Sequence, residues 1–511
     1  MKLYVLSLKG SLSMLLKKIF ITKLEDKTKL FFLYLFNLIA LFPLIVFYHP
    51  HYSVDTYGIQ YYGEEIHLDA FIGSFRYFGA LLYKIFSLFG HNPIINPLPD
   101  IIFYIFTASI IVTALTITLY KHLELNSNIK YLIINFCVLI TVVNVWFCNI
   151  LTFPECIALT SFGLAFCFIA IILFIKHTSS NNLLHIILSS ICLILSMAVY
   201  QQYVTVFAIY IIVYCCKDVI MVDKIKQIVI KYLKPIAMIF ISCVIYFVVG
   251  IFIQNVLSVK ANERVALSLI TIFENLIYFV TKQRSFLKGR GYFETDILTI
   301  CYLAVFIIWL ISLIFYWKKN RKTLKCVIIG LSFIAGYSCS YLLGLISTSH
   351  GIRTMFGLFS VFALFAIGAI ILSQNKYIPR ILLIILFSVY SMNIVKDVTM
   401  SINQVKTNVY DSVYADSITN YINDYEKKEK IQIKNISYSF DSVNSRTNFS
   451  SDVYTSYAFE AMLLLKSDTP YTFIKMPDEI YNENFASKDW EYFNPEEQMI
   501  FDNDILYLCI Y

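Results

Sequence analysis

The sequence predicts an all-α polytopic membrane domain of about eleven transmembrane helices, followed by a small outward-facing α/β domain. Three observations carry that prediction. The 511 residues are 58% hydrophobic and 15% charged, with a mean hydropathy of +0.68, whereas a soluble domain carries about 25% charged residues. Apolar runs of about 20 residues, the length that crosses a bilayer as a helix, recur between residues 30 and 398. Beyond residue 399 those runs stop and the charge reverses: residues 401–511 hold 9 Lys and Arg against 18 Asp and Glu. The whole chain is +7, so its first 400 residues carry an excess of +16.

The apolar segments lie at 30–48, 98–120, 130–151, 155–176, 183–200, 201–216, 235–256, 297–317, 326–347, 354–373 and 380–398. The pair divided at YQQY, residues 200–203, comes from one long run that must turn back on itself. Lysine and arginine collect in cytoplasmic loops. They mark the arm 1–29 (Lys17, Lys18, Lys23, Lys27, Lys29), Lys121 with Lys130, Lys176, the group Lys217 to Lys234, KKNRKTLK at 318–325, and Lys376 with Arg380. All fall on one side when the segments alternate. The N-terminus is then cytoplasmic, in the inner membrane of a bacterium whose abundant Ile, Lys, Asn and Tyr suit an AT-rich genome. The loop 49–97, the turns 152–155 and 200–203, the loop 257–296, TSHGIRTM at 348–355 and the segment 399–511 face outward. Within that last segment, alternation in KNISYSF and TFIKM, a helical period in SYAFEAMLLLK and a terminal ILYLCIY predict a small α/β unit.

The twelve cysteines include no CxxC pair and sit mostly in apolar runs, as small core residues do. There is no P-loop, no GxGxxG, no internal repeat and no nucleic-acid signature. The loop beginning FYHPHYSVDTYGIQYYGEEIHLDAFIGSFRYFG is unusual, because it sets Asp55, Glu64, Glu65, Asp69 and Arg76 among six tyrosines just past the first span. Charge at the membrane interface can be hydrated, and Asp55 falls at headgroup depth. Glu64, Glu65 and Asp69 also fit a plain solvated loop. From Leu68 to Phe86 the apolar spacing predicts one helix lying in the interface. His49 and His51 form an HxH pair without a third ligand, which equally suits interfacial anchoring.

The loop 257–296 breaks the positive-inside trend with KQRSFLKGRG, in which Arg284 and Arg290 stand beside glycines, and Arg353 follows His350 in the next outer loop. Guanidinium groups match phosphate oxygens bidentately; the same residues could simply meet phospholipid headgroups. Cations and carboxylates on one outer face fit glycosyl transfer from a polyprenyl-phosphate sugar. The departing phosphate needs positive charge, and the attacking hydroxyl needs a base.

Asp55, the arginine of SFRYFG and SMAVYQQYVTVF at 196–207 together resemble the Gtr-type serotype-converting glucosyltransferases of bacterial O-antigen, polytopic enzymes of the GT-C superfamily. An acidic residue after a short hairpin, Glu155 in FPE, and a C-terminal outward domain extend the likeness. The resemblance implies a GT-C-like membrane fold, a polyprenyl-phosphate hexose donor, usually of glucose, and a lipid-linked glycan acceptor. It implies Asp55 as the base and the 49–97 loop as the catalytic wall. Relatives often show Gly-Arg where this chain has Ser74, Phe75 and Arg76, which leaves the role of Arg76 open. Glu64, Glu155, Tyr200, Gln201, Gln202, Arg284, Arg290, His350 and Arg353 are the further candidates for substrate contacts. Glu155 equally suits a helix N-terminus, and the YQQY residues equally suit a tight interhelical turn. A monophosphate donor requires no metal, although the carboxylate-rich loop has oxygens for a divalent cation. A transporter or flippase of lipid-linked sugars, an O-antigen polymerase and a non-catalytic glycan-binding protein are the competing classes.

Overall fold

A computed structural model describes residues 27–125, 127–222, 224–261, 268–289, 293, 296–347, 352–373, 375–440, 456–467, 469–488, 490 and 493–510. Among them, nine helices are long and apolar enough to cross a membrane, from Thr28–Tyr48 to Tyr377–Glu429. The other two expected segments are present as shorter apolar helices, Leu183–Met197 and Thr323–Cys339. A small sheet lies at the C-terminal end.

The segments Asn128–Cys148 and Met355–Leu372 are almost wholly buried, whereas Lys226–Leu257 and Ile297–Asn320 keep most of their surface open. Between apolar helices packing alone discriminates poorly, so buried polar pairs help to set position. One such group ties the first three spans: Asn37 donates to Thr113 Oγ1 (2.9 Å), Asn135 donates to Asn37 Oδ1 (2.8 Å), and Thr116 donates to Asn135 Oδ1 (3.1 Å).

The segment expected as one interfacial helix is two, Glu64–Gly73 and Tyr77–Leu88, broken at Ser74–Arg76. Phe75 adopts a left-handed φ of 61°, which a continuous helix cannot hold. Breaking a helix leaves its last carbonyls without intrahelical donors. Here side chains from elsewhere supply them. Gln254 donates to the carbonyls of Ile72 (2.9 Å) and Gly73 (3.3 Å), Gln201 to that of Ser74 (2.5 Å), and Tyr246 to that of Phe75 (3.0 Å). The next helix begins with the N–H groups of Phe78 and Gly79 both bonded to the carbonyl of Ala198, at 3.1 Å. Tyr246, Gly250 and Gln254 lie at i, i+4 and i+8 on one face of the Ile225–Leu257 helix. Phe75 occupies the space that the missing Gly250 side chain leaves.

The last span does not stop at the end of its apolar run; Tyr377–Glu429 is one helix of 53 residues. Its far part packs against a four-stranded sheet of order β2-β1-β4-β3, with β1 Asn435–Phe440, β2 Thr472–Lys475, β3 Met499–Asp502 and β4 Ile505–Ile510. Strand β1 runs parallel to β2 and β4, and β3 returns antiparallel to β4. The helix Ser456–Lys466 makes the crossover from β1 to β2. The core of this unit takes Ala415, Ile418 and Ile422 from the long helix, Ile436, Phe459, Leu506 and Leu508 from the α/β part, and Tyr57 from the 49–97 loop.

Gly250→Ala would place its Cβ 2.4 Å from the Phe75 ring. Alanine favours a helix over glycine by about 1 kcal/mol, but overpacking of this kind costs about 1–3 kcal/mol. The expected outcome is a lower melting temperature with helix content retained; an unchanged or higher one would show that the turn yields freely.

Candidate active site

The helix Val54–Tyr62 opens with a capping box in which the Ser53 side chain accepts from the backbone of Thr56 (3.2 Å) and the Thr56 hydroxyl accepts from the backbone of Ser53 (3.0 Å). The pairing fixes the first turn, and Asp55 sits in that turn, half-buried. Behind the cap stands Glu155, itself buried and in the first turn of Pro154–Ser180. It accepts from the hydroxyls of Thr56 (3.0 Å) and Ser53 (3.4 Å). Glu155 therefore holds the start of the helix that carries Asp55, and it does not line the cavity described next.

A cavity of about 390 Å³ opens in front of Asp55, within the size range of small-ligand sites. Asp55, Tyr62, His67, Phe71, Arg76 and Tyr457 are among its walls. Tyr457, from the helix Ser456–Lys466, donates its phenol hydroxyl to Asp55 Oδ1 at 2.5 Å. Gly58 lets the two helices approach, since a Cβ there would lie 3.3 Å from the Tyr457 ring. Arg76 lies with its guanidinium carbon 4.6 Å above the Tyr200 ring, and Tyr200 stacks in turn on Phe356. Its Nε is buried without a hydrogen-bond partner. A carboxylate and a guanidinium with unused donor capacity thus share one cavity.

His67 also faces this space, 4% exposed, with its Nε2 unpartnered. Burial pushes its pKa down to about 4, more than the Asp55 carboxylate lifts it, and the Arg76 cation adds to the lowering. The imidazole is neutral in the ordinary pH range.

The candidates from YQQY are mostly buried within the protein. Tyr200 is 9% exposed beneath Arg76, Gln201 holds the Ser74 carbonyl, and Gln202 is 1% exposed with its Oε1 accepting from Thr205 at 2.8 Å. Tight packing against Phe356 and against Thr160, whose carbonyl accepts from Tyr203 at 3.1 Å, draws the tyrosines inward. Glu64 accepts from Ser87 Oγ at 2.7 Å and does not line the cavity. Arg284 is exposed and bound to Asp296 at 2.8 Å, with Lys288 on the same carboxylate at 3.2 Å. Arg290 and His350 lie outside the described residues, as does the side chain of Arg353. Both ring nitrogens of His51 face carbonyls, those of His49 (2.7 Å) and Leu151 (3.2 Å). Among the described residues no three His, Cys, Asp or Glu side chains gather as a metal site.

Sequence reasoning passed over His67, Tyr457, Tyr246 and Gln254. The last two carried a usable signal: polar residues eight apart with a glycine midway, YFVVGIFIQ, in an otherwise apolar span. It also passed over Asp397, an acid wholly buried within the Tyr377–Glu429 helix.

The family model described as "Glucosyl transferase GtrII" matches residues 44–373, well over half of the chain. The match includes Asp55, His67, Arg76, Glu155 and the YQQY turn, and it ends before the long last helix and Tyr457. No curated protein gives a significant match.

Glu155→Gln keeps an acceptor and adds a donor that the two hydroxyls can meet, so stability should change little. The two hydroxyls also face each other at 2.8 Å, so Glu155→Leu leaves one of them buried without an acceptor, at about 1–3 kcal/mol; equal melting temperatures for the two variants would discard the anchoring role. A second expectation concerns pH. An imidazole that falls from an ordinary value of 6.5 to about 4 on folding binds its proton better in the unfolded chain. Its contribution to stability is complete above pH 6.5 and is lost as the pH falls towards 4. Thermal unfolding of His67→Phe should lose less stability across that window than the parent protein.

Proposed function

The chain belongs to the GtrII glucosyl transferase family, and on that premise we propose that it moves a hexose, most simply glucose, from a polyprenyl-phosphate sugar to a lipid-linked surface glycan such as O-antigen. The site of transfer is the outer face of the bacterial cytoplasmic membrane. The observation that carries this reading is the cavity where the Asp55 carboxylate and the buried, unpartnered Nε of Arg76 converge. A base and a cation within one recess at the end of a membrane span are what transfer from a membrane-anchored phosphate needs.

In this reading Asp55 takes the proton of the acceptor hydroxyl. The freed oxygen attacks the anomeric carbon as the bond from that carbon to the phosphate oxygen breaks. The electron pair leaves with the polyprenyl phosphate, and Asp55 ends as the carboxylic acid. A single displacement inverts the anomeric configuration. The hydroxyl of Tyr457 on Asp55 Oδ1 supports the assignment, because it stands where an attacking hydroxyl would donate. Arg76 is assigned the phosphate, with Tyr200 beneath it keeping the guanidinium plane in place. Arg284, engaged by Asp296, is less suited to that task than the sequence suggested. The donor's tail remains among the lipid-facing helices, and the C-terminal unit, through Tyr457, helps to form the acceptor side.

Transfer of labelled glucose from synthetic polyprenyl-phosphate glucose to lipid-linked glycan, by purified protein in proteoliposomes, tests the proposal. Asp55→Asn should lower transfer by about 10²–10⁴-fold, the usual worth of a general base. Arg76→Ala should lose about 10²-fold or more, while Arg76→Lys, keeping charge but not the planar fork, should fall between. Full activity in Asp55→Asn would remove the base assignment. Absence of transfer by the intact, folded protein with any such donor would remove the donor class and favour transport of lipid-linked sugars.

A further inference from the structure

We propose that His67 reads a hydroxyl of the hexose being transferred, a specificity contact for the donor sugar. The inference rests on the reading of the site as a glycosyl-transfer cavity and adds to it the residue that recognises the sugar. Three observations support it.

The first is the orphaned nitrogen. Buried polar atoms are nearly always hydrogen-bonded, yet His67 Nε2 has no partner and the side chain is 4% exposed. The ring is held between Phe71, with centroids 4.1 Å apart, and Tyr83, at 5.1 Å, so it cannot swing out to find water in bulk. Its open side is the cavity shared with Asp55 and Arg76.

The second is chemical. A neutral imidazole offers either an N–H or a lone pair at Nε2, depending on tautomer. A phosphate or carboxylate can only accept, and an ammonium group can only donate. A hydroxyl does both, so it satisfies Nε2 in either tautomer. Sugar hydroxyls are the ligand groups of that kind.

The third is position. Asp55, His67 and Arg76 line one cavity. In a displacement the transferred ring lies between the acceptor oxygen, held at the base, and the phosphate, held at the cation. A polar side chain in the recess that those two groups share is within reach of that ring.

The test is equilibrium binding of short-chain polyprenyl-phosphate glucose, and of its 2-, 3-, 4- and 6-deoxy analogues, to the full-length protein in nanodiscs. The parent protein should bind one deoxy analogue about tenfold more weakly than the glucose compound, the worth of one neutral hydrogen bond in a desolvated site. His67→Phe, close in shape, should bind the glucose compound about tenfold more weakly and no longer distinguish that analogue. His67→Gln, which retains a polar end, should recover part of the preference. The proposal is overturned if His67→Phe keeps the parent's ranking of the five compounds, as it would were Nε2 satisfied by a water. If the parent protein binds none of the five, the donor class falls, and the role of His67 falls with it. Binding of all five with an unaltered ranking in the variant removes His67 alone.

Discussion

Three carbonyl groups, those of Gly73, Ser74 and Phe75, set the terms for the rest of the site. They are released where the chain breaks its helix, and an unpaired buried backbone group is expensive. Gln201 captures them from the YQQY turn, and Tyr246 and Gln254 from the Ile225–Leu257 helix. That capture fixes the left-handed Phe75, and Phe75 needs the bare backbone at Gly250. The turn then aims Arg76 over Tyr200 and into the cavity. A long, flexible side chain is thereby held as part of a rigid surface, which is what precise placement of charge requires.

The carboxylate is placed by a different device. Asp55 takes its position from a capping box, and the box is backed by a buried acid on the fourth long span. Two carboxyls sit near one another with separate duties, one facing the cavity and one facing hydroxyls in the protein interior. The third wall comes from far along the chain: Tyr457 stands 402 residues beyond the group it touches. The family match covers the first two devices and ends before the third. The C-terminal unit adds a wall to the cavity from outside the matched span.

Much of this was legible in the sequence. Apolar run length located the spans, because a bilayer imposes a length, and the loss of those runs near residue 399 marked the change of character. Asp55 and Arg76 stood out by their place in a tyrosine-rich loop just past the first span and by the resemblance their motifs carry. The strands Asn435–Phe440 and Thr472–Lys475 showed their alternation and Ile505–Ile510 an apolar run, whereas Met499–Asp502, three apolar residues followed by an acid, shows no alternation. Other features were hidden for physical reasons. The apolar period runs straight through the break at Ser74–Arg76, and the Gly73–Ser74 pair that precedes it is a weak breaker on its own; the tertiary hydrogen bonds that receive the turn are not visible in one dimension. Glu155 reads the same whether it faces a sugar or a serine, since burial is invisible in one dimension. His67 looks like any histidine in a tyrosine-rich loop until Phe71, Tyr83 and the cavity close around it. Arg284 drew attention as a free cation, yet its partner Asp296 lies only twelve residues on.

The 53-residue helix Tyr377–Glu429 has one proline, at its start, and no glycine. At 1.5 Å per residue it extends about 80 Å, far more than a bilayer core needs. It passes without a joint from the bundle to the core that also holds the helix of Tyr457. Its far part also holds the helix of Asp55: Gln404 and Asn408 donate to the carbonyl of Tyr52, and Asp411 accepts from the Tyr57 hydroxyl. The carboxylate and the phenol that meets it are thus mounted on one continuous rod, and they are carried as a single piece.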